Sequence, residues 1–336
     1  MMDPFNVPVV LFLFKRIDKP LEVIKQIAKV APARLYLLAD GGRTEEEKAQ
    51  AAKCREAIEA AITWDCEVIK KYEPENIGVY ANIAEGAKWV FEREKFAIFL
   101  EDDNWPELSF FKFCEAVLAK YQDDTRVLWI CGTNYLKEYE PADGSSYVFS
   151  KNMMPCGWAS WAHKFNKFYD GELTLWQNKY VQERIKGEYL YKKLYYQDKY
   201  NFDYELDAKA TRGKFYSWDY QMSFSMRVHN VYAVVPKYNQ IKNIGVDNDS
   251  THGGNNLADV MVERFCGIQT KAMEFPLKHP QSVLLDVGFE VPVAKIILNP
   301  GFFSLRSRTS RFIRECFGIK KTQSIVSFIK SRFFGK

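Results

Sequence analysis

The chain has 336 residues, of which 47% are hydrophobic and 27% are charged, and its formal net charge is +4. This composition is typical of a soluble globular protein and excludes a fibrous or low-complexity chain. The seven cysteines form an odd set without a C-x-x-C pair, which favours free thiols in a reducing cytoplasm over a disulfide framework.

Apolar runs alternate with helical patterns through the first 135 residues. The predicted strands are Val7–Phe14, Arg34–Ala39, Asp65–Ile69, Phe96–Leu100 and Val127–Cys131. The predicted helices are Leu21–Val30, Thr44–Thr63, Val79–Glu94 and Glu107–Tyr121. The first apolar run is too short to span a bilayer and is therefore interpreted as a strand. This alternation predicts an α/β fold with a mostly parallel, doubly wound sheet flanked by helices.

The pattern is less regular after Gly132. We predict an edge strand at Ser146–Ser150, a long polar-aromatic helix over Leu173–Gly213 and a strand at Tyr232–Pro236. Boundaries are predicted after residues 135 and 290, so that the chain divides into 1–135, 136–290 and 291–336.

Three carboxylates, Glu101-Asp102-Asp103, follow directly after the apolar run Phe96–Leu100. Open α/β sheets bind their ligands at the carboxyl ends of the strands. Clustered acids repel one another, and a hard divalent cation such as Mg²⁺ or Mn²⁺ relieves that repulsion. The sequence therefore favours a metal site here, and a solvated acidic turn is the alternative.

Polar residues also follow the first two predicted strands, namely Lys15-Arg16 and Asp40. Together with the acids, they are expected to face a common crevice at one edge of the sheet. A cation for the diphosphate, an arginine beside it and an acid for the base or ribose suit a nucleoside diphosphate. The Gly-rich dinucleotide fingerprint and the P-loop are absent, which disfavours a nicotinamide enzyme and a kinase.

Several segments form an ordered set of motifs, namely Glu75–Asn82, Gly86, Trp89–Phe91, Ile98–Asp103, Cys156–Trp161, Ser217–Gln221, Asn243–Val246 and Ser250–His252. These segments resemble the nucleotide-sugar domain of GT-A glycosyltransferases, and in particular the bacterial group related to N-acetylglucosaminyltransferase I, with E-D-D in place of D-x-D. The resemblance covers roughly residues 7 to 255.

The resemblance implies a GT-A type Rossmann-like fold and a set of nucleotide-binding residues. Asp103 would bind Mn²⁺ or Mg²⁺, and Asp102 would face the ribose or the water shell of the metal. Arg16, Asp40 and Asn76 would hold the nucleotide of the donor, for which a UDP-sugar is the first choice.

It also implies the residues around the transferred sugar. Glu101 would face this sugar, and Trp158 would lie beside it. Asp219 matches the catalytic base that deprotonates the acceptor hydroxyl, and a single displacement inverts the anomeric configuration. His252 is a candidate second metal ligand, although a structural or solvated role is the alternative for this loop histidine.

On this interpretation, residues 1–135 form the nucleotide-sugar-binding half and residues 136–290 the acceptor-binding half of one GT-A domain. The expected activity is sugar transfer to a hydroxyl of a glycan or lipid-linked glycan in surface polysaccharide biosynthesis. A sugar-nucleotide pyrophosphorylase is the alternative enzyme. A catalytically inactive sugar-binding or membrane scaffold protein is the alternative without activity.

The last segment, 291–336, is expected to be a basic amphipathic helical tail. From residue 299 onward it contains nine Lys or Arg against one Glu, interspersed with apolar residues. This pattern favours an anionic membrane surface, with the protein peripheral to the inner face of the cytoplasmic membrane. A helix docked on the catalytic domain is the alternative. Nucleic acid is not expected as a partner, because the body is acidic and no recognition fold is legible.

Overall fold

The computed structural model describes residues 5–246 and 260–333 and has an α/β architecture. The strands are β1 Val9–Leu13, β2 Arg34–Ala39, β3 Glu67–Tyr72, β4 Phe96–Glu101, β5 Asn104–Pro106, β6 Val127–Cys131, β7 Tyr147–Ser150, β8 Trp158–Trp161, β9 Tyr232–Pro236 and β10 Ile241–Asn243. The helices are α1 Asp18–Val30, α2 Glu45–Ala60, α3 Gly86–Phe91, α4 Ser109–Lys120, α5 Ala162–Phe168, α6 Lys179–Ile185, α7 Lys192–Arg212, α8 Asp219–Val228, α9 Val260–Cys266, α10 Val287–Ile297, α11 Leu305–Phe317 and α12 Ile325–Phe333.

Eight strands form the main sheet in the order β3-β2-β1-β4-β8-β6-β9-β7. The pairs β3-β2, β2-β1, β1-β4 and β6-β9 are parallel, whereas β8 and β7 run antiparallel to their neighbours. The mostly parallel Rossmann-like sheet flanked by helices is thereby confirmed. Strands β7 and β9 lie in the same sheet as β1, so residues on both sides of position 135 build one sheet. The boundaries after residues 135 and 290 stay predictions.

Helices cover both faces of the sheet, which explains why its central strands are apolar without interruption. Along β1, Val9, Leu11 and Leu13 pack into one buried cluster with α1, α2 and α4. The alternate residues Val10 and Phe12 pack into a second cluster, with α3 and α8. A third cluster joins α6, α7 and α8 beside the sheet.

The predicted helix over Leu173–Gly213 is wrong as a single element. It divides into α6, α7 and two short 3₁₀ turns, Leu175–Gln177 and Lys186–Glu188. Asn178 caps α6 by accepting a hydrogen bond from the backbone N–H of Tyr180, and such caps begin new helices. Gly187 lies in the second turn, where its low helix propensity favours an interruption.

Two very short strands form a second sheet that is central to the site. Strand β5 pairs antiparallel with β10, with Asn104 opposite Asn243. This pairing brings a segment from late in the chain next to the acids that follow β4.

The described residues 5–246 and 260–333 include no helix that is both long and apolar enough to cross a membrane.

Substitution of Trp158 tests how much one aromatic side chain contributes to the stability of the core. The Trp158 ring lies between the rings of Phe99 and Trp129, at centroid distances of 3.9 and 4.1 Å, and is 1% exposed. We expect Trp158→Ala to lower the free energy of unfolding by about 3–5 kcal/mol, because it leaves a large cavity. Trp158→Phe should cost less, and Trp64→Ala, at a half-buried position, is the control for loss of a tryptophan. Urea unfolding measures all three, and equal losses for the two alanine variants would contradict this packing.

Candidate functional site

An ion pair between Arg16 and two aspartates lies at the carboxyl edge of the sheet. Arg16 follows β1, and Asp102 and Asp103 follow the neighbouring parallel strand β4. The Arg16 Nη2 donates to Asp102 Oδ1 at 2.6 Å and to Asp103 Oδ2 at 3.1 Å. Burial by itself lowers the pKa of Arg16, but the two carboxylates raise it above its ordinary value, so the guanidinium stays charged.

The second sheet holds the Asp103 carboxylate in place. Oδ1 accepts hydrogen bonds from the side-chain amides of Asn104, at 2.7 Å, and Asn243, at 3.4 Å. The backbone N–H of Ile244 donates to the Asp103 carbonyl at 2.9 Å. Gly245 packs so closely that a Cβ there would lie 2.0 Å from Asp103 Oδ2. The carboxylate is therefore fixed by both strands of the small sheet.

Asp219 lies near the same acids although it is distant in sequence. Burial raises the pKa of Glu101 well above its usual value, and nearby negative charge raises it further. In falling order of their effect on the Glu101 pKa, these charges are Asp103, Asp102 and Asp219. The structure thus brings Glu101, Asp103 and Asp219 into one electrostatic neighbourhood.

The position of Asp219 follows from the packing of Trp218. Helix α8 begins at Asp219, directly after this tryptophan. The Trp218 ring is 4% exposed and lies 5.9 Å from the Trp129 ring and 5.7 Å from the Trp158 ring. Because these two rings belong to β6 and β8, the start of α8 is pinned against the sheet next to β4. Ser217 Oγ also donates a hydrogen bond to Asp219 Oδ1.

Asp40 organises a loop. Its carboxylate accepts hydrogen bonds from the backbone N–H groups of Gly41, Ile77 and Gly78, at 2.8–3.0 Å, and from Asn76 Nδ2 at 2.9 Å. These four donors use the approximately four acceptor positions of a carboxylate. Asp40 and Asn76 are therefore in contact, and the hydrogen bonds of Asp40 stabilise the loop 76–78. Their contact with a nucleotide stays a prediction.

The Trp158 ring is enclosed within the core between Phe99 and Trp129. The expected position of the Gly157-Trp158 loop beside the donor sugar stays a prediction. The preceding Gly157 has a positive φ of 62° and donates its N–H to Asn104 Oδ1 at 2.7 Å. The motif Cys156–Trp161, which includes strand β8, therefore contacts the residues that follow β4 and the core beneath them.

The metal site at Asp103 stays a prediction. Asp103 offers carboxylate oxygens, which suit Mg²⁺ and Mn²⁺. Within the part of the chain that the structure describes, no three His, Cys, Asp or Glu side chains are grouped so that they hold a metal ion. His252 lies outside the described residues.

A cleft of about 1,030 Å³ adjoins Arg16. Its walls are the residues that follow β1 and the first turns of α2, and they carry both signs of charge. Lys15 and Arg43 on these walls both pair with Glu47, at 3.2 and 2.6 Å. The cleft is large enough for a nucleotide-sized ligand.

Glu205 on α7 is a buried carboxylate that the sequence analysis missed. It is 1% exposed, and its Oε2 accepts hydrogen bonds from the backbone N–H groups of Tyr216, at 2.8 Å, and Ser217, at 3.2 Å. It thereby holds the segment that leads into Asp219. The signal was its three-residue spacing from the apolar Phe202 and Ala208, which puts all three on one helix face.

No protein-family model matches this chain, and no curated protein matches it in sequence. Solved structures with a similar fold include a 4-diphosphocytidyl-2C-methyl-D-erythritol synthase from Anaerococcus prevotii, at 11% identity and a TM-score of 0.34, covering 71% of this chain and 92% of that one. Another is mouse xyloside xylosyltransferase 1, at 10% identity and 0.34, covering 67% and 84%. A UDP-glucose pyrophosphorylase complexed with UDP-glucose has 9% identity and 0.34, covering 70% and 93%. At these values the similarities assign neither a family nor an activity.

Glu205 gives the site a pH-dependent stability. Burial, opposed by the Ser217 hydrogen bond and reinforced by the charge of Asp219, raises the pKa of Glu205 from 4.5 to about 7. The folded protein therefore binds a proton more tightly than the unfolded chain, and stability is lost as pH rises from about 4.5 to 7. Glu205→Gln, which keeps an acceptor oxygen, should remove this loss, on the order of 3 kcal/mol.

Urea unfolding at pH 5 and pH 8 gives the free energy of unfolding of the variant and of the wild type. The difference between these two free energies should change between the two pH values. Glu183→Gln, at an exposed position, is the control for loss of a carboxylate. A constant difference between Glu205→Gln and the wild type across this range would show that Glu205 is ionised at both pH values.

Proposed function

We propose that this protein is a metal-dependent glycosyltransferase that moves a sugar from a nucleotide diphosphate sugar to an acceptor hydroxyl. The observation that carries the proposal is that the charges of Asp103 and Asp219 both act on Glu101 at the end of β4. Asp103 is fixed by the small sheet, and Asp219 is placed by the Trp218 packing. Direct displacement at an anomeric carbon requires a base on one side and a stabilised leaving group on the other.

Arg16 and Asp103 would both contribute to binding of the leaving diphosphate. Mg²⁺ is commonly held by one or two carboxylates and by substrate phosphates, so a chain that contributes few ligands fits such a cation. When bound, the divalent cation would offset the negative charge that develops on the departing diphosphate. Arg16 would add a charge-assisted hydrogen bond to the same group, and the adjoining cleft would take the nucleoside.

Asp219 is the proposed general base. Its carboxylate accepts a hydrogen bond from Ser217, which stabilises the ionised form that takes a proton. As the acceptor oxygen bonds to the anomeric carbon, Asp219 receives the hydroxyl proton and the bond to the diphosphate breaks. One displacement of this kind inverts the configuration. The proposed acceptor is a hydroxyl of a glycan or glycolipid of a surface polysaccharide.

A sugar-nucleotide pyrophosphorylase is the rival enzyme, and the neighbouring structures include both reaction classes by name. A pyrophosphorylase would carry a Gly-rich loop after the first strand. The segment Phe14–Asp18 contains no glycine, and its Arg16 binds the acids after β4. The products distinguish the two reactions, because a transferase releases a nucleoside diphosphate and a pyrophosphorylase consumes or releases pyrophosphate.

Asp219→Asn should leave donor binding unchanged and lower sugar transfer at least about a hundredfold, because a general base contributes roughly 10²–10⁴. Asp103→Ala should instead abolish the metal-dependent binding of the nucleotide. Purified protein is titrated with nucleoside diphosphates and Mn²⁺ in a thermal-shift experiment, and release of nucleoside diphosphate is measured across a panel of sugar nucleotides.

Asp123→Asn, in an exposed turn after α4, is the matched control and should behave as the wild type. Transfer by Asp219→Asn at the wild-type rate would refute the assignment of the base. Failure of the wild type to bind any nucleoside diphosphate with Mn²⁺ would favour the scaffold alternative.

Substitution of Arg16 tests whether Arg16 and a metal ion compete for Asp103. In this structure the Arg16 guanidinium donates to Asp103 Oδ2, so a cation bound by this carboxylate would compete with Arg16. Arg16→Gln should therefore bind Mn²⁺ alone about tenfold more tightly, since roughly 1.4 kcal/mol of competition is removed, while binding of the nucleoside diphosphate becomes weaker. Calorimetric titration measures both affinities.

Arg43→Gln is the control, because Arg43 lines the same cleft but pairs with Glu47. Equal Mn²⁺ affinity in Arg16→Gln and the wild type would show that the cation does not take the place of Arg16 at Asp103.

A further inference from the structure

The half-buried face of α11 is mostly polar and carries Ser307, Ser310, Arg311 and Arg314. The Arg311 guanidinium lies 4.0 Å from the centre of the Phe302 ring. Arg314 Nη1 donates to the carbonyl oxygens of Lys320, at 2.6 Å, and Gln323, at 2.7 Å. A helix docked on its own domain ordinarily buries its apolar stripe, so this orientation is the reverse of the usual one.

Three apolar residues of α11, Leu305, Phe312 and Phe317, are exposed. Leu305 is 80% exposed and Phe312 is 65% exposed. They are seven residues apart, which places them two turns apart on one face at 3.6 residues per turn. Phe317 at the end of α11, and Val326 and Ile329 on α12, are exposed as well.

Contacts with α7 fix this segment to the body. Ile319, between α11 and α12, is 5% exposed. The backbone N–H of Lys321 donates to Asp207 Oδ2 at 2.8 Å, and Lys321 Nζ pairs with Asp203 Oδ2 at 3.3 Å. The connection between the two helices therefore anchors them, while Leu305, Phe312, Phe317, Val326 and Ile329 remain exposed.

Exposed cations surround these apolar side chains. The exposed apolar set is Leu305, Phe312, Phe317, Val326 and Ile329, and the exposed basic set is Arg306, Arg308, Lys320, Lys330 and Arg332. We call these two sets together the tail surface. Apolar and basic side chains that alternate on a helical surface are typical of helices that lie in the interface of an anionic membrane.

We propose that the tail surface binds an anionic lipid bilayer, with the apolar side chains in the acyl boundary and the cations at the headgroups. Charge decides between the possible occupants of this surface. A second copy of the chain would bring two sets of cations together, whereas anionic headgroups neutralise them. The apolar side chains would in turn leave water, which favours binding in proportion to the area removed.

The anchoring helix links this surface to the candidate site. Asp203 and Asp207 of α7 hold the tail, and Glu205 of the same helix holds the segment that leads into Asp219. A bilayer bound at the tail surface would lie one helix away from the proposed base. A lipid-linked acceptor would then reach that base from the membrane. This consequence rests on the proposed function, whereas the proposal of lipid binding does not.

Sedimentation of the full chain with vesicles tests the proposal. The vesicles contain phosphatidylcholine alone or phosphatidylcholine mixed with phosphatidylglycerol. The wild type should sediment with the anionic vesicles and not with the neutral ones. Leu305→Asp/Phe312→Asp and Arg306→Glu/Arg308→Glu should each weaken binding about tenfold or more. Both changes lie at exposed side chains, and equal thermal unfolding temperatures verify that the variants fold.

Leu284→Asp is the matched control, because Leu284 is 68% exposed but lies outside the tail surface. It should bind as the wild type does. Three results would overturn the proposal: no binding of the wild type to anionic vesicles, equal binding by all variants, or a concentration-dependent dimer that the Leu305→Asp/Phe312→Asp variant loses. Nucleotide binding is measured separately in solution, so that a failure of lipid binding and a failure of the proposed function are distinguished.

Discussion

The ion pair of Arg16 with Asp102 and Asp103 is the interaction on which the candidate site depends. Two adjacent carboxylates at the end of a buried strand repel each other, by roughly 4 kcal/mol at 4 Å when the effective dielectric constant is near 20. One guanidinium from the neighbouring parallel strand contacts both of them. The parallel pairing of β1 with β4 makes this contact possible, because it places the residues that follow each strand at the same edge. The guanidinium thus offsets part of the repulsion between the two carboxylates.

Aromatic packing provides the second constraint. Phe99, Trp158 and Trp129 stack across β4, β8 and β6, and Trp218 packs against this stack from α8. The acid that follows Trp218 therefore has its position set by the hydrophobic core. A glutamate beneath it, Glu205, fixes the preceding backbone. The proposed base is consequently supported on two sides, one apolar and one hydrogen-bonded.

Much of the sheet and part of the site follow from sequence patterns. Strands β2, β6 and β9 have the predicted bounds, because continuous apolar runs between turn signals define them clearly. Strands β5, β8 and β10 have three or four residues, too few for a periodic pattern, and their pairing depends on contacts distant in sequence. For the same reason, the burial of Trp158 and the pairing of Arg16 with the acids became visible only in the structure. The gathering of Arg16 and the acids at one edge was predictable, since topology alone determines it.

The close approach of Gly245 to Asp103 has a consequence for sequence variation. Any side chain at position 245 would occupy the space that the Asp103 carboxylate takes, so the two cannot be accommodated together in this backbone arrangement. Positions 103 and 245 should therefore change together among homologous chains. A homologue that carries a larger residue in place of the glycine should also have a smaller residue in place of the aspartate.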